Sequence, residues 1–153
     1  MAQPADTRPE TLQQALTTLV VSTRGQGFTD LTEKVYAWLA KVGANNGLLT
    51  AYIRHTSASL TIQENADPAV RSDLLDSLNR LAPQSVAYHH ASEGPDDMPA
   101  HIKSMLTSTS LSIPVMDGRA VFGTWQALYI IEHRTAPHQR EIVLHFIGEL
   151  AAK

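Results

Sequence analysis

Residues Ser110–His133 read SLSIPVMDGRAVFGTWQALYIIEH. At the centre, Asp117-Gly118 separates two runs rich in β-branched and aromatic residues. Asp-Gly is a dipeptide suited to the positive φ angles of a two-residue hairpin turn. A further β-rich run, REIVLHFIGEL, follows from Arg140 to Leu150. The C-terminal third therefore predicts a three-strand meander, and a meander calls for an antiparallel sheet.

Working outward, residues 11–23 (TLQQALTTLVVST) predict a strand, and residues 47–63 predict two strands joined near HTSAS. Between them, Leu31, Val35, Trp38, Leu39 and Val42 recur at helical spacing. Thr29 or Asp30 offers an N-cap, and Gly43 stops the helix. A second helix is predicted over DPAVRSDLLDSLNRLAP, with Asp67 as N-cap and Pro68 at the first helical position. Val70, Leu74, Leu78 and Leu81 share one of its faces. A loop over residues 84–96 leads into a short third helix, Pro99 to Thr107. Strands broken by about three helices predict an α+β domain over residues 11–153, with residues 1–10 as a loose arm.

The chain has 153 residues, enough for one domain with a real core, and 43% of them are hydrophobic against 18% charged. A net charge of -3 offers no basic stripe for nucleic acid. No apolar run is long enough to cross a bilayer, so no membrane partner is expected. The start, MAQPADTRPE, lacks a secretory pattern, and there is no cysteine. A cytoplasmic location is the expectation. Without thiolates, histidine and carboxylate remain as the strong metal ligands.

Those ligands are unevenly spread. Between Glu93 and Lys103 the sequence EGPDDMPAHIK packs three acids, two prolines and a histidine, shortly after Tyr88-His89-His90. Asp96 and Asp97 precede a helix, where an acid caps free N–H groups; either could also orient a ligating imidazole or hold Mg²⁺ beside a phosphate. Pro95 and Pro99 stiffen the loop. His55 ends a strand in which Leu49, Ala51 and Ile53 share its face. His133 ends another, on one face with Trp125, Tyr129 and Ile131. Taken alone, each reads as a core imidazole satisfied by a single hydrogen bond. Trp125 reads as core, and Gly123 sits inside the predicted strand. His90, His101 and His133, from separate segments, are the candidate set for a three-ligand metal site with an open position. Arg134 is the candidate cation for an anionic substrate.

Taken together, HTSASLTIQENADPAVRSDL, YHHASEGPDDMPAHIKSMLTSTSLSIPVMDGR and FGTWQALYIIEHR resemble, in order and spacing, the YjbQ family over about residues 12–150. Its members are commonly labelled secondary thiamine-phosphate synthases. The resemblance implies a homotrimer with a pocket that holds a metal or an anion. By motif, that pocket would take His55, Thr56, Asn65, His90, Asp96, Asp97, His101, Thr124, Gln126, Glu132, His133 and Arg134.

Two enzymatic expectations follow. In the first, a pyrimidine pyrophosphate condenses with a thiazole phosphate, using Mg²⁺ held by Asp96 or Asp97, Arg134 on the departing oxygens, and proton transfer by His101, His90 or His55. Thr56, Asn65, Thr124, Gln126 and Glu132 would bind substrate. In the second, a Zn²⁺-class ion on His90, His101 and His133 serves hydrolysis of a small phosphorylated or amide-bearing metabolite. A third expectation is a trimer that binds a metabolite or metal without turnover.

Overall fold

Met116 and Arg119 pair across Asp117-Gly118, whose φ angles of 50° and 82° make the expected two-residue turn. The computed structural model describes residues 11–152, so the arm expected over residues 1–10 lies outside the described residues. The hairpin joins β5 (Ser110–Met116) to the short β6 (Arg119–Ala120). The meander does not continue from there. β7 (Gln126–Glu132) leaves for a second sheet, and β8 (His138–Leu150) inserts between β1 (Gln13–Thr23) and β3 (Ala44–Ile53).

The result is two antiparallel sheets. One runs β1-β8-β3-β5-β6. The other is β2-β7-β4, with β2 at Gly27–Asp30 and β4 at Ala58–Glu64. The sequence had given no sign of β2, a four-residue strand of GFTD on an edge. Among the described residues there are also three helices: α1 (Thr32–Val42), α2 (Pro68–Leu81) and α3 (Asp97–Leu106). The α+β expectation holds.

Period-two patterning sets which faces meet. Leu49, Ala51 and Ile53 of β3 join Ile142, Leu144 and Phe146 of β8 and Ile113 and Val115 of β5. All point at Ala58 and Leu60 of β4 and at Leu128 and Ile130 of β7. α1 adds Val35, Trp38 and Leu39 to the same cluster. Each fully buried Leu, Ile, Val or Phe of this set contributes about 2 kcal/mol. β7 is buried on both faces from Ala127 to Glu132, which hides its alternation and reads as one apolar run.

Caps follow local chemistry. The Asp67 carboxylate accepts from the Ala69 N–H, as expected. Asp30 accepts from the Thr32 N–H, although Leu31 is the N-cap residue of α1, and Gly43 ends that helix at φ 72°. α2 buries no residue fully, and its predicted face member Leu81 is 68% exposed. The amphipathic pattern thus located the helix but overstated its burial. Residues 121–125 are not a strand, and Trp125 is 63% exposed rather than core. Here β6 ends and the chain crosses between sheets, so the alternation assumed through GTWQ does not apply.

Candidate metal centre and cleft

α3 is the element that assembles the centre. Asp97 and His101, four residues apart, project from the same face of its first turns. Their partner His90 comes from the loop before the helix. His90 Nε2 lies 2.6 Å from Asp97 Oδ2, and His101 Nε2 lies 3.2 Å from the same oxygen. Among the described residues, these three can each offer a ligand atom within 4.8 Å of the others.

The tautomer of His101 is fixed from behind. Its Nδ1 stands 3.1 Å from the Thr56 carbonyl oxygen, which only accepts, so Nδ1 carries the hydrogen. In the neutral ring, Nε2 then directs its lone pair at a carboxylate oxygen. Two electron-rich atoms facing each other at 3.2 Å require a cation between them, either a proton on Nε2 or a metal ion. A backbone carbonyl behind a ligating imidazole is the usual outer support of a metal site. The donor set of two imidazoles and one carboxylate fits a Zn²⁺-class ion better than Mg²⁺.

Asp97 is well prepared for this task. Burial alone would raise its pKa, but the hydrogen bond with His90 and the charge of Arg134 outweigh that and hold it below the ordinary carboxyl value. Arg134 Nη1 grips the other oxygen, Oδ1, at 2.9 Å, leaving Oδ2 for the imidazoles.

Several expected roles change in the structure. Neither acid caps α3 by its side chain. Asp96 Oδ2 instead accepts from Arg134 Nε and from the N–H and hydroxyl of Thr135. Burial opposes ionisation of Asp96, yet these bonds bring its pKa down to about 2. With that oxygen taken three times over, Asp96 serves as a bracket, and its Oδ2 is not available to Mg²⁺.

Arg134 spends its remaining nitrogen on the Glu93 carbonyl, so it is no free cation for a substrate. His133 does not join the metal cluster. It is 1% exposed, and its Nε2 meets Ser59 Oγ at 2.9 Å. Burial, then the nearby Lys103 charge, lowers its pKa to about 4. It is the core imidazole of the plainer reading, placed inward because β7 is covered on both faces.

Glu132 is likewise no substrate ligand. Buried, it accepts from Arg140 Nε at 2.8 Å and from Thr23 and the Arg134 N–H. Asn65, Thr124 and Gln126 lie elsewhere. Glu64 pairs with Gln126 and Ala58 with Glu132, so six residue steps, about 20 Å, separate this group from the Ser57 end of β4. There, the Asn65 N–H donates to the Trp125 carbonyl, and Gln126 closes its own turn by accepting from the Gly123 N–H.

Beside the centre opens a cleft of about 780 Å³, lined by His55, Thr56, Ser57, His101, Ser104 and Arg140 among others. His55 and Thr56 are there as the motif implied. Arg140 is the residue that sequence reasoning missed. Its signal was available: it occupies the inward register of β8 with Ile142, Leu144 and Phe146, an odd place for a charge. Glu132 is its counter-ion, which keeps a buried guanidinium tolerable.

Comparison with known proteins agrees with the residue pattern. The YjbQ family model, described as UPF0047 protein YjbQ-like, matches residues 17–149. A UPF0047 protein of Synechocystis is 47% identical over 92% of this chain and 96% of its own length. The YjbQ protein of Escherichia coli O157:H7 is 44% identical over 86% of this chain and 96% of its own. Among solved structures, a hypothetical protein from Aeropyrum pernix superposes with a TM-score of 0.81 at 31% identity, covering 88% of this chain and 99% of that one. With the family model spanning most of its length, this chain belongs to the YjbQ family.

Proposed function

We propose that the protein is a metal-dependent enzyme that hydrolyses a small phosphorylated metabolite in the cleft beside His101. One observation carries the reading: His101 Nε2, its tautomer set by the Thr56 carbonyl, faces Asp97 Oδ2 at 3.2 Å with His90 alongside. His90, Asp97 and His101 would hold a Zn²⁺-class ion. Such an ion supplies Lewis acidity and a water activated near neutral pH. The chain's own groups do the positioning. Arg134 orients Asp97, the Thr56 carbonyl orients His101, and the cleft admits substrate beside both.

Condensation of a pyrimidine pyrophosphate with a thiazole phosphate is a second reading, favoured by the size of the cleft. A volume of about 780 Å³ accommodates two small reactants side by side. The Mg²⁺-based version of that chemistry loses support, because Asp96 and Arg134 are bound to each other.

A homotrimer belongs to the same proposal. Support comes from the outward face of the larger sheet, where Leu16, Val20, Leu48, Tyr52, Met116 and Ile147 stand exposed. A second and third copy would cover this apolar surface. Tyr52 also lines the cleft, so a covering copy would approach its mouth.

The test combines metal content with turnover. Protein purified without added metal should carry about one zinc per chain. It should release phosphate from a panel of phosphate monoesters, and His101→Ala and Asp97→Asn should lose both metal and activity. Metal-free protein that makes thiamine phosphate only when Mg²⁺ is added would favour the second reading. Stoichiometric ligand binding without turnover would reduce the protein to a binding module.

A further inference from the structure

The contacts of His55 leave a donor without an acceptor. The Glu141 N–H donates to His55 Nε2 at 2.8 Å, while Arg140 Nη1 stands 3.3 Å from Nδ1. A neutral imidazole has a single lone pair, so it can accept from one of these groups and not both. The shorter backbone bond takes Nε2. Nδ1 then carries a hydrogen, and it meets the Arg140 N–H donor against donor. Protonating the ring would only worsen the conflict.

The rest of the guanidinium is committed: Nε and Nη2 bind Glu132, and Nη2 also donates to Ser57 Oγ at 3.0 Å. Because Ser57 Oγ accepts there, its own O–H remains free to donate. Arg140, only 3% exposed, thus lines an open cleft with a surplus of donors around it.

We propose that Arg140 Nη1, His55 Nδ1–H and the Ser57 hydroxyl form an oxyanion subsite that holds the phosphate or carboxylate of a small metabolite. One oxygen placed between Nη1 and Nδ1 accepts from both and removes the conflict. Oriented donors in a partly dry cleft bind an anion more strongly than mobile surface lysines do. The subsite rests on the reading of this cleft as the substrate site. Thr56, whose carbonyl positions His101, lies between His55 and Ser57, so an anion here sits one residue away from the support of the metal centre. Charge from Arg140 is largely balanced by Glu132, so recognition depends on hydrogen-bond geometry, and a guanidinium cannot be exchanged for an ammonium.

The experiment titrates inorganic phosphate and, separately, acetate into chelator-treated protein by calorimetry. Phosphate should bind with defined stoichiometry. His55→Phe and Arg140→Lys should each weaken it by tenfold or more, with native circular dichroism. Arg140→Lys keeps a cation against Glu132 and so guards against unfolding; His55→Phe leaves that ion pair intact. Preferential binding of acetate would assign the subsite to carboxylates.

Absence of binding by either anion, or binding unchanged in both variants, overturns the subsite. Zinc content measured on each preparation before the chelator is added keeps the two proposals apart. Zinc without anion binding removes the subsite alone, and anion binding without zinc removes the metal reading alone.

Discussion

Burial holds His133 neutral, and this ties the fold to pH. Its imidazole titrates near 6.5 when unfolded and about 4 when folded, so between those values the unfolded chain binds the extra proton. A depressed folded pKa means the stability is fully present above about pH 6.5 and is lost as pH falls towards 4. The loss amounts to about 3 kcal/mol. Urea unfolding at pH 7 and pH 4.5 should show that loss in the native protein. His133→Gln keeps a partner for Ser59 without a titrating group, so its slope over this window should flatten; an unchanged slope would assign the pH dependence elsewhere.

Residue identity made the histidine and acid cluster legible in the sequence, but not which atoms would be free. Asp96 and Arg134 look like available ligands on paper, and they neutralise each other in space. Nothing in the order of residues shows that pairing across 38 positions.

Elements were readable where local rules act alone. Asp67-Pro68 opened a helix and Asp117-Gly118 turned a hairpin, because each is decided within a few residues. β7 could not be placed the same way. Its run of buried residues gives no face, and its partners β2 and β4 come from distant sequence.

The β3–β8 pairing depends on two glycines that face one another, Gly47 and Gly148. A Cβ on Gly47 would stand 2.4 Å from the Ile147 carbonyl oxygen and 2.7 Å from the Phe146 ring. Backbone cannot yield there as a flexible side chain would. Gly47→Ala should therefore cost about 2–3 kcal/mol in chemical denaturation, within the range for overpacking. A change below about 0.5 kcal/mol would mean that the two strands are not this close.

At the scale of the whole molecule, the larger sheet carries apolar residues on both sides, those of the outer face set among polar neighbours such as Thr18, Glu141 and His145. Its inner face builds the core, and its outer face carries Leu16 and Val20 on β1 beside Leu48 and Tyr52 on β3. Composition could not reveal this, since alternation on an edge strand such as β1 looks the same whether the outer residues meet water or another chain. Light scattering should give about three times 16.7 kDa for the native protein. Leu16→Lys combined with Val20→Lys should shift it to the monomer mass with the fold retained. A native protein that runs as a monomer at micromolar concentration would refute the assembly. Among the described residues, no helix is long and apolar enough to cross a membrane.

The most direct test is anomalous X-ray diffraction at the zinc absorption edge, from crystals of protein purified without added metal. The account predicts one strong anomalous peak per chain, touching His90 Nε2, His101 Nε2 and Asp97 Oδ2. Crystals with full side-chain density at these three residues, no anomalous peak, and a His101 ring turned away from Asp97 would contradict it.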